Sequence, residues 1–132
     1  MDIEQLQTEL AECKSYQDVL VVMRREFSAI GYDDFFYGVQ VLESFKAPPA
    51  VAYSTLKEEW LVEVMSNNYH LSDPISCHYM HHTTPLFWHV DDDWSKHPYG
   101  ENAVEFMAAV RDAGYSAGVC IPVFSRECTR GF

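Results

Sequence analysis

Basic residues are scarce in this chain. Nine Lys and Arg stand against 20 Asp and Glu, a formal charge of -11 over 132 residues. That balance repels phosphate backbones and anionic headgroups, so neither nucleic acid nor a membrane surface is expected to bind this chain directly. No apolar run approaches the ~20 residues that a membrane-spanning helix needs. The opening MDIEQLQTELAE is acidic and carries no apolar signal core, so a cytoplasmic location is expected. Cys13, Cys77, Cys120 and Cys128 form no CxxC pair. They fit reduced, mostly buried thiols of a cytosolic protein better than a disulfide framework. Repeats and low-complexity segments are absent, as is an HExxH signature. Residues 114–118, GYSAG, carry the letters G-x-S-x-G, but they run from a helical stretch into an extended one, the reverse of the strand-to-helix turn that a nucleophile elbow needs. Neither a zinc hydrolase of that type nor a Ser-His-Asp hydrolase is indicated, and no enzyme, cofactor or metal is expected.

What is present is apolar bulk. The chain is 48% hydrophobic and 14% aromatic, enough for the core of one domain spanning residues 1–132. Ile3, Leu6 and Leu10 predict a helix over residues 2–13. Ser15 and Asp18 have capping-box spacing before a stripe from Val19 to Phe27, with Gly31 as the stop. Residues 35–41 are aromatic and β-branched and predict a strand. Lys46-Ala47-Pro48-Pro49 breaks the chain, and residues 51–53 predict a second strand. Thr55 and Glu58 repeat the capping-box spacing and predict a helix over residues 57–67, with Trp60, Leu61, Val64 and Met65 on one face. Asp73-Pro74 starts another short helix, with Asp73 at the cap. Residues 86–88 are short and extended, and residues 89–100 are an acidic, aromatic loop. Val104, Phe106, Met107 and Val110 predict a helix over residues 101–113, stopped by Gly114. Residues 118–124 predict a strand and residues 125–131 a polar turn. Antiparallel strands covered by helices make an α+β sandwich, with the last strand and helix missing after Phe132.

The run from Trp60 to Trp88 holds the chemistry. An acceptor-only carboxylate, Asp73, lies between two donor-only indoles. Buried polar groups need partners, and a small amphipathic ligand bearing an amide N–H and a carbonyl would satisfy both kinds. Taken singly, the tryptophans read as core aromatics and Asp73 as a helix cap. Cys77, His78, His81 and His82 tempt a metal reading, but a solvated polar face is expected. Asp91-Asp92-Asp93 lacks the alternation and glycine of a calcium loop. Cys128, between Arg126 and Arg130, is expected to be an inert or incidentally reactive thiol. Gly38 marks a bulge or nothing.

Trp60, Asp73-Pro74, Pro85, Trp88, Gly114, Gly118 and Ile121-Pro122, in this order and spacing, resemble the autoinducer-binding domain of LuxR-type quorum-sensing regulators. The resemblance covers about residues 15–132. It implies an antiparallel sheet with helices on both faces, a pocket for an N-acyl-homoserine lactone between sheet and helices, and a DNA-binding helix-turn-helix domain that this chain lacks. It implies that Trp60 donates to the lactone carbonyl, that Asp73 accepts from the amide N–H, and that Trp88 packs on the lactone ring. It places Gly118 where the sheet leaves room beneath the ligand, and Phe106, Val110 and Tyr115 around the head group.

Two positions depart from the family. Val64 stands where a tyrosine usually donates to the amide carbonyl, and Thr55-Leu56-Lys57 replaces an Asn-Tyr-Pro turn. The expected function is therefore a signal sensor for an acyl-homoserine lactone or related molecule, as a homodimer or a heterodimer with a full-length regulator. The rivals are a ligand-independent module that sequesters an intact regulator, a degenerate fragment, and a lactonase built on the histidines.

Overall fold

A computed structural model describes residues 1–41, 51–69, 72–124 and 129–131. The breaker at residues 46–49, Cys128 with Arg126, and Phe132 lie outside the described residues. The chain divides into two compact units, Met1–Tyr37 with Ala52–Leu56, and Gly38–Val51 with Lys57–Phe132.

The first unit holds α1 (Ile3–Glu12), α2 (Tyr16–Ala29), the start of β1 (Phe36–Val41) and most of β2 (Val51–Ser54). The caps follow the sequence closely. Ser15 Oγ accepts from Asp18 N at 3.1 Å, and Asp18 Oδ2 accepts from Ser15 N at 3.2 Å, completing the expected capping box. Gly31, at φ 96°, ends α2: its N–H donates to Ser28 O at 3.1 Å, and Tyr32 N–H donates to Phe27 O at 3.0 Å. That paired closure uses carbonyls which the helix end would otherwise leave open. Arg25 joins the helices through Glu9 at 2.7 Å. Rings supply the packing, Tyr16 on Tyr53 at 5.1 Å and Phe27 near Phe35 at 5.2 Å.

Thr55 differs from its expected role. Its hydroxyl accepts from Phe35 N at 3.0 Å, and its amide donates to Phe35 O at 3.0 Å. Its side chain therefore serves the backbone of Phe35, and the next helix is capped by Lys57, with no side-chain cap. A spacing rule cannot see that a long-range strand partner competes for the same hydroxyl.

The second unit contains α3 (Glu58–Ser66), α4 (Pro74–His81), β3 (Leu86–His89), α5 (Glu101–Asp112), β4 (Ala117–Cys120), β5 (Val123–Phe124) and β6 (Thr129–Gly131). A single 3-10 turn, Trp94–Lys96, interrupts the acidic loop. The strands are short and antiparallel, as the α+β reading requires. β3 pairs β4 with Leu86 opposite Cys120 and Trp88 opposite Gly118. β6 pairs both β1, with Val39 opposite Gly131, and β5, with Val123 opposite Gly131.

Two boundaries differ from expectation. The strand predicted over residues 118–124 is cut at Ile121-Pro122, so that β4 and β5 join different sheets. Proline has no N–H to donate to a ladder, which makes it a natural breaking point. Residues 129–131, read as part of a turn, are already strand. The core lies along α5, where Ala103, Phe106, Met107 and Val110 are buried together with Trp60, Tyr79, Val90 and Cys120. Val104, placed on that stripe by the sequence, is 43% exposed. The buried positions fall at i, i+3, i+4 and i+7 from Ala103, the regular helical face. Burying a side chain such as Met107 contributes about 1.5–3 kcal/mol.

Candidate functional site

Every residue proposed for the site lies in the second unit. Trp60 lies in the first turn of α3 and is 7% exposed. Its ring lies 5.8 Å from that of Phe106 on α5 and 6.1 Å from that of Tyr69. Tyr69 meets Phe106 edge-on at 5.5 Å, so the three rings form one aromatic cluster. Sequence reading missed Tyr69. It follows Asn68, which takes φ 52° just past the end of α3. Helical periodicity stops there and assigns Tyr69 to no face. Val64 is half-buried, one turn beyond Trp60 on the same helix.

The start of α3 is tied to the end of α5. Lys57 N–H donates to Tyr115 Oη at 2.9 Å, and Lys57 Nζ donates to Ala113 O at 2.7 Å. A cation at a helix C-terminus is favourable, because the last carbonyls carry partial negative charge. Gly114, at φ 95°, and Tyr115 close α5 through bonds to Arg111 O at 2.9 Å and Val110 O at 3.2 Å. Tyr115 and Val110, both expected near the head group, are thus joined through the backbone.

Asp73 caps α4, as expected. Its Oδ1 accepts from Ile75 N at 2.8 Å, and its Oδ2 accepts from Ser76 Oγ at 2.7 Å. The charge acts on its neighbours. Tyr79 is held well above the usual phenol range, by burial first and by Asp73 second. Cys120 is pushed up to about 12 by the same two causes in the same order. Tyr99 is raised to about 12 by burial, by its hydrogen bond to Cys77 and the Cys77 charge, and last by Asp73. The carboxylate therefore stands beside three acids that stay protonated at neutral pH.

Trp88 stands across the ladder from Gly118, and a Cβ added at Gly118 would lie 2.6 Å from Trp88 Cζ2. The space that Gly118 leaves is occupied by the indole itself.

The remaining polar clusters have structural partners. His78 Nε2 lies 2.6 Å from Thr84 O, His81 Nδ1 lies 2.8 Å from Cys77 O, and the His78 and His82 rings stack at 4.6 Å. Asp91 pairs with Arg111, Asp92 accepts from His89 N at 2.9 Å, and Asp93 holds Ser95 N at 3.2 Å. Among the described residues no group of three His, Cys, Asp or Glu could hold a metal ion. A cleft of about 340 Å³ lies between this acidic turn and α5, lined by Val90, Trp94, Met107 and Arg111 among others, and by none of the eight proposed site residues.

Residues 15–132 match the family model described as the autoinducer binding domain, and the chain belongs to that family. The family is one of signal-binding domains rather than enzymes. The HTH-type quorum-sensing regulator RhlR of Pseudomonas aeruginosa is 24% identical over 118 residues, covering 89% of this chain and 46% of that protein. The chain thus spans about half the length of that relative. Two solved structures are similar in fold. The N-acylhomoserine lactone dependent LuxR family transcription factor CepR2 from Burkholderia cenocepacia has a TM-score of 0.77 at 16% identity, over 97% of this chain and 71% of that one. SdiA in complex with octanoyl-rac-glycerol has a TM-score of 0.76 at 19% identity, over 98% of this chain and 50% of that one. Among the described residues no helix is long and apolar enough to cross a membrane.

Proposed function

We propose that this chain binds an N-acyl-homoserine lactone or a related acyl signal in the cytoplasm, as the sensor part of a LuxR-type regulator. The observation that carries this reading is Asp73, a half-buried carboxylate fixed at a helix start among neutral acids. Such an acceptor suits one donor on an otherwise apolar ligand. The Trp60, Tyr69 and Phe106 rings supply apolar and aromatic wall, and Trp88 offers a face for the head group. Three described cysteines are free thiols, in keeping with a reducing compartment. Dimerisation with a second copy or with a full-length regulator belongs to the same proposal.

An acyl glycerol is the second reading. SdiA has been solved with octanoyl-rac-glycerol, and a carboxylate accepts from a hydroxyl as readily as from an amide. Val64 also brings no hydroxyl to an amide carbonyl, which lowers the demand for an amide ligand.

Calorimetry and thermal melting with N-octanoyl-homoserine lactone and octanoyl glycerol test both readings. Ligand at about 100 times its Kd should add ~2.7 kcal/mol of stability. Asp73→Asn should cost about one to two decades of affinity, the worth of a charged hydrogen bond. A melting point unmoved by millimolar amounts of either ligand sinks the sensor reading. Unchanged affinity in the variant removes Asp73 from the site.

A further inference from the structure

We propose that His97 is an acid-released catch, which at neutral pH holds the turn before α5, and with it the Tyr99 phenol, against α4. The inference stands apart from the sensor reading, since it concerns a strap between elements and no ligand. Two histidines bracket the acidic turn, and each accepts a backbone N–H from two residues further on. Asp91 N donates to His89 Nδ1 at 3.0 Å, and Tyr99 N donates to His97 Nδ1 at 3.1 Å. A backbone amide can only donate, so neither Nδ1 carries a proton, and both rings are neutral with the proton on Nε2. The next proton must land on the accepting nitrogen itself. It ends the bond and sets a donor against a donor.

The two rings differ in where that proton can turn. His89 Nδ1 lies 3.6 Å from Asp91 Oδ2, so a protonated His89 exchanges an amide for a carboxylate. Asp92 accepts from His89 N, Arg111 of α5 holds Asp91, and β4 sets only Ala117 opposite His89. His97 has rings around it instead, Trp94 at 6.4 Å and Tyr99 at 5.1 Å. Its neighbour Lys96 pairs with Asp93 at 3.6 Å. Burial lowers His97 below its ordinary 6.5, and no charged group among the described residues adds to that shift. A protonated His97 therefore gains no partner for the one it loses. The folded state favours the neutral ring, so the catch holds above that ordinary value and is lost as pH falls below it.

The catch has hold of two elements. His97 O accepts from Gly100 N at 2.8 Å, just before α5. The Tyr99 phenol is hydrogen-bonded to Cys77 on α4, one turn past Asp73, whose charge it feels. Cys77 Sγ also lies 3.8 Å from His81 Nδ1, a second titrating group on that face. Freeing the Tyr99 amide loosens the residue that spans from this turn to α4.

The test follows the whole chain from about pH 7.5 to about pH 5. Nitrogen NMR of the imidazoles reads the tautomers, and hydrogen exchange reads the protection factor of the Tyr99 amide. Labelling by a dithiodipyridine, which reacts with thiols in acid, compares Cys77 with Cys13 in the same molecule. At neutral pH the His97 Nδ1 should be bare. As the ring takes its proton, Tyr99 protection should fall about threefold to tenfold, and the Cys77 to Cys13 labelling ratio should rise by a similar factor. His97→Asn should keep Tyr99 protected throughout, because an asparagine oxygen accepts from the amide two residues on and does not titrate. His81 and Asp73 remain in that variant, so their own titration is separated from that of His97. His89→Asn should leave the acid response in place. A proton on His97 Nδ1 at neutral pH overturns the catch. So does a Tyr99 protection factor that is flat with pH, or an acid response that survives His97→Asn. Loss of protection at Tyr99 with an unmoved Cys77 ratio overturns the strap to α4. The tautomer and wild-type arms need no variant, so they decide the matter even where His97→Asn fails to fold.

Discussion

Gly118 and Gly114 show how one residue type answers two different demands. At Gly118 the demand is room, because a methyl would sit 2.6 Å from a rigid indole carbon and 3.0 Å from its nitrogen. Gly118→Ala should cost about 1–3 kcal/mol, the range for overpacking, and should shift the Trp88 fluorescence. Urea unfolding together with emission spectra checks both parts, and an unchanged midpoint would show that the ladder yields freely. At Gly114 the demand is conformational, since φ is 95° and a Cβ would meet only the Lys57 ammonium, at 2.8 Å. Gly114→Ala should destabilise by more than the roughly 0.4–1 kcal/mol such a change gains where the backbone suits alanine. Sequence reading found both glycines. It explained Gly114 as a helix stop, which the backbone bears out. It explained Gly118 by clearance, and what fills that clearance is a cross-strand neighbour that only the register identifies.

The helix starts were legible where the cap and its partner are close in sequence. Ser15 with Asp18, and Asp73 with Pro74, are such cases. Ser15→Ala should destabilise the protein by ~1 kcal/mol, read as a lower melting midpoint. No change would mean that the tertiary packing of α2 overrides its cap. Thr55 and Glu58 obey the same spacing, yet the hydroxyl serves Phe35, twenty residues earlier. The start of α3 is instead held by Tyr115 and Ala113, far along the chain. Local rules list the candidates for a hydrogen bond, and tertiary competition chooses among them. The same limit applies to Tyr69, which reaches Trp60 only because the chain turns at Asn68.

At the scale of the molecule, three buried or half-buried acids tie stability to pH. Cys120 is raised from its ordinary 9.0 to about 12, Tyr99 from 10.0 to about 12, and Tyr79 is raised as well. The folded protein favours their neutral forms, so the unfolded chain loses these protons first. Their contribution is complete below about pH 9 and is lost as pH rises toward 12. Denaturant unfolding across that range should show falling stability with rising pH, and a flat profile would show that the three groups are hydrated. Cys120 should also alkylate more slowly than Cys13 at pH 8, because its thiolate is scarce. None of this was legible from composition, which shows how many acids there are but not which ones share a wall with Asp73.

The double engagement of Asp73 has a consequence for variation. One oxygen begins a helix and the other is held by Ser76, while the proposed sensor role asks the same charge to meet a signal. Asparagine, serine and threonine can also begin a helix at that position. A population of variants screened only for accumulation of folded protein should therefore accept all four residues at position 73. A population screened for response to signal should keep aspartate alone. The difference between the two tolerated alphabets would measure, at one codon, how much of this residue belongs to the architecture and how much to the message.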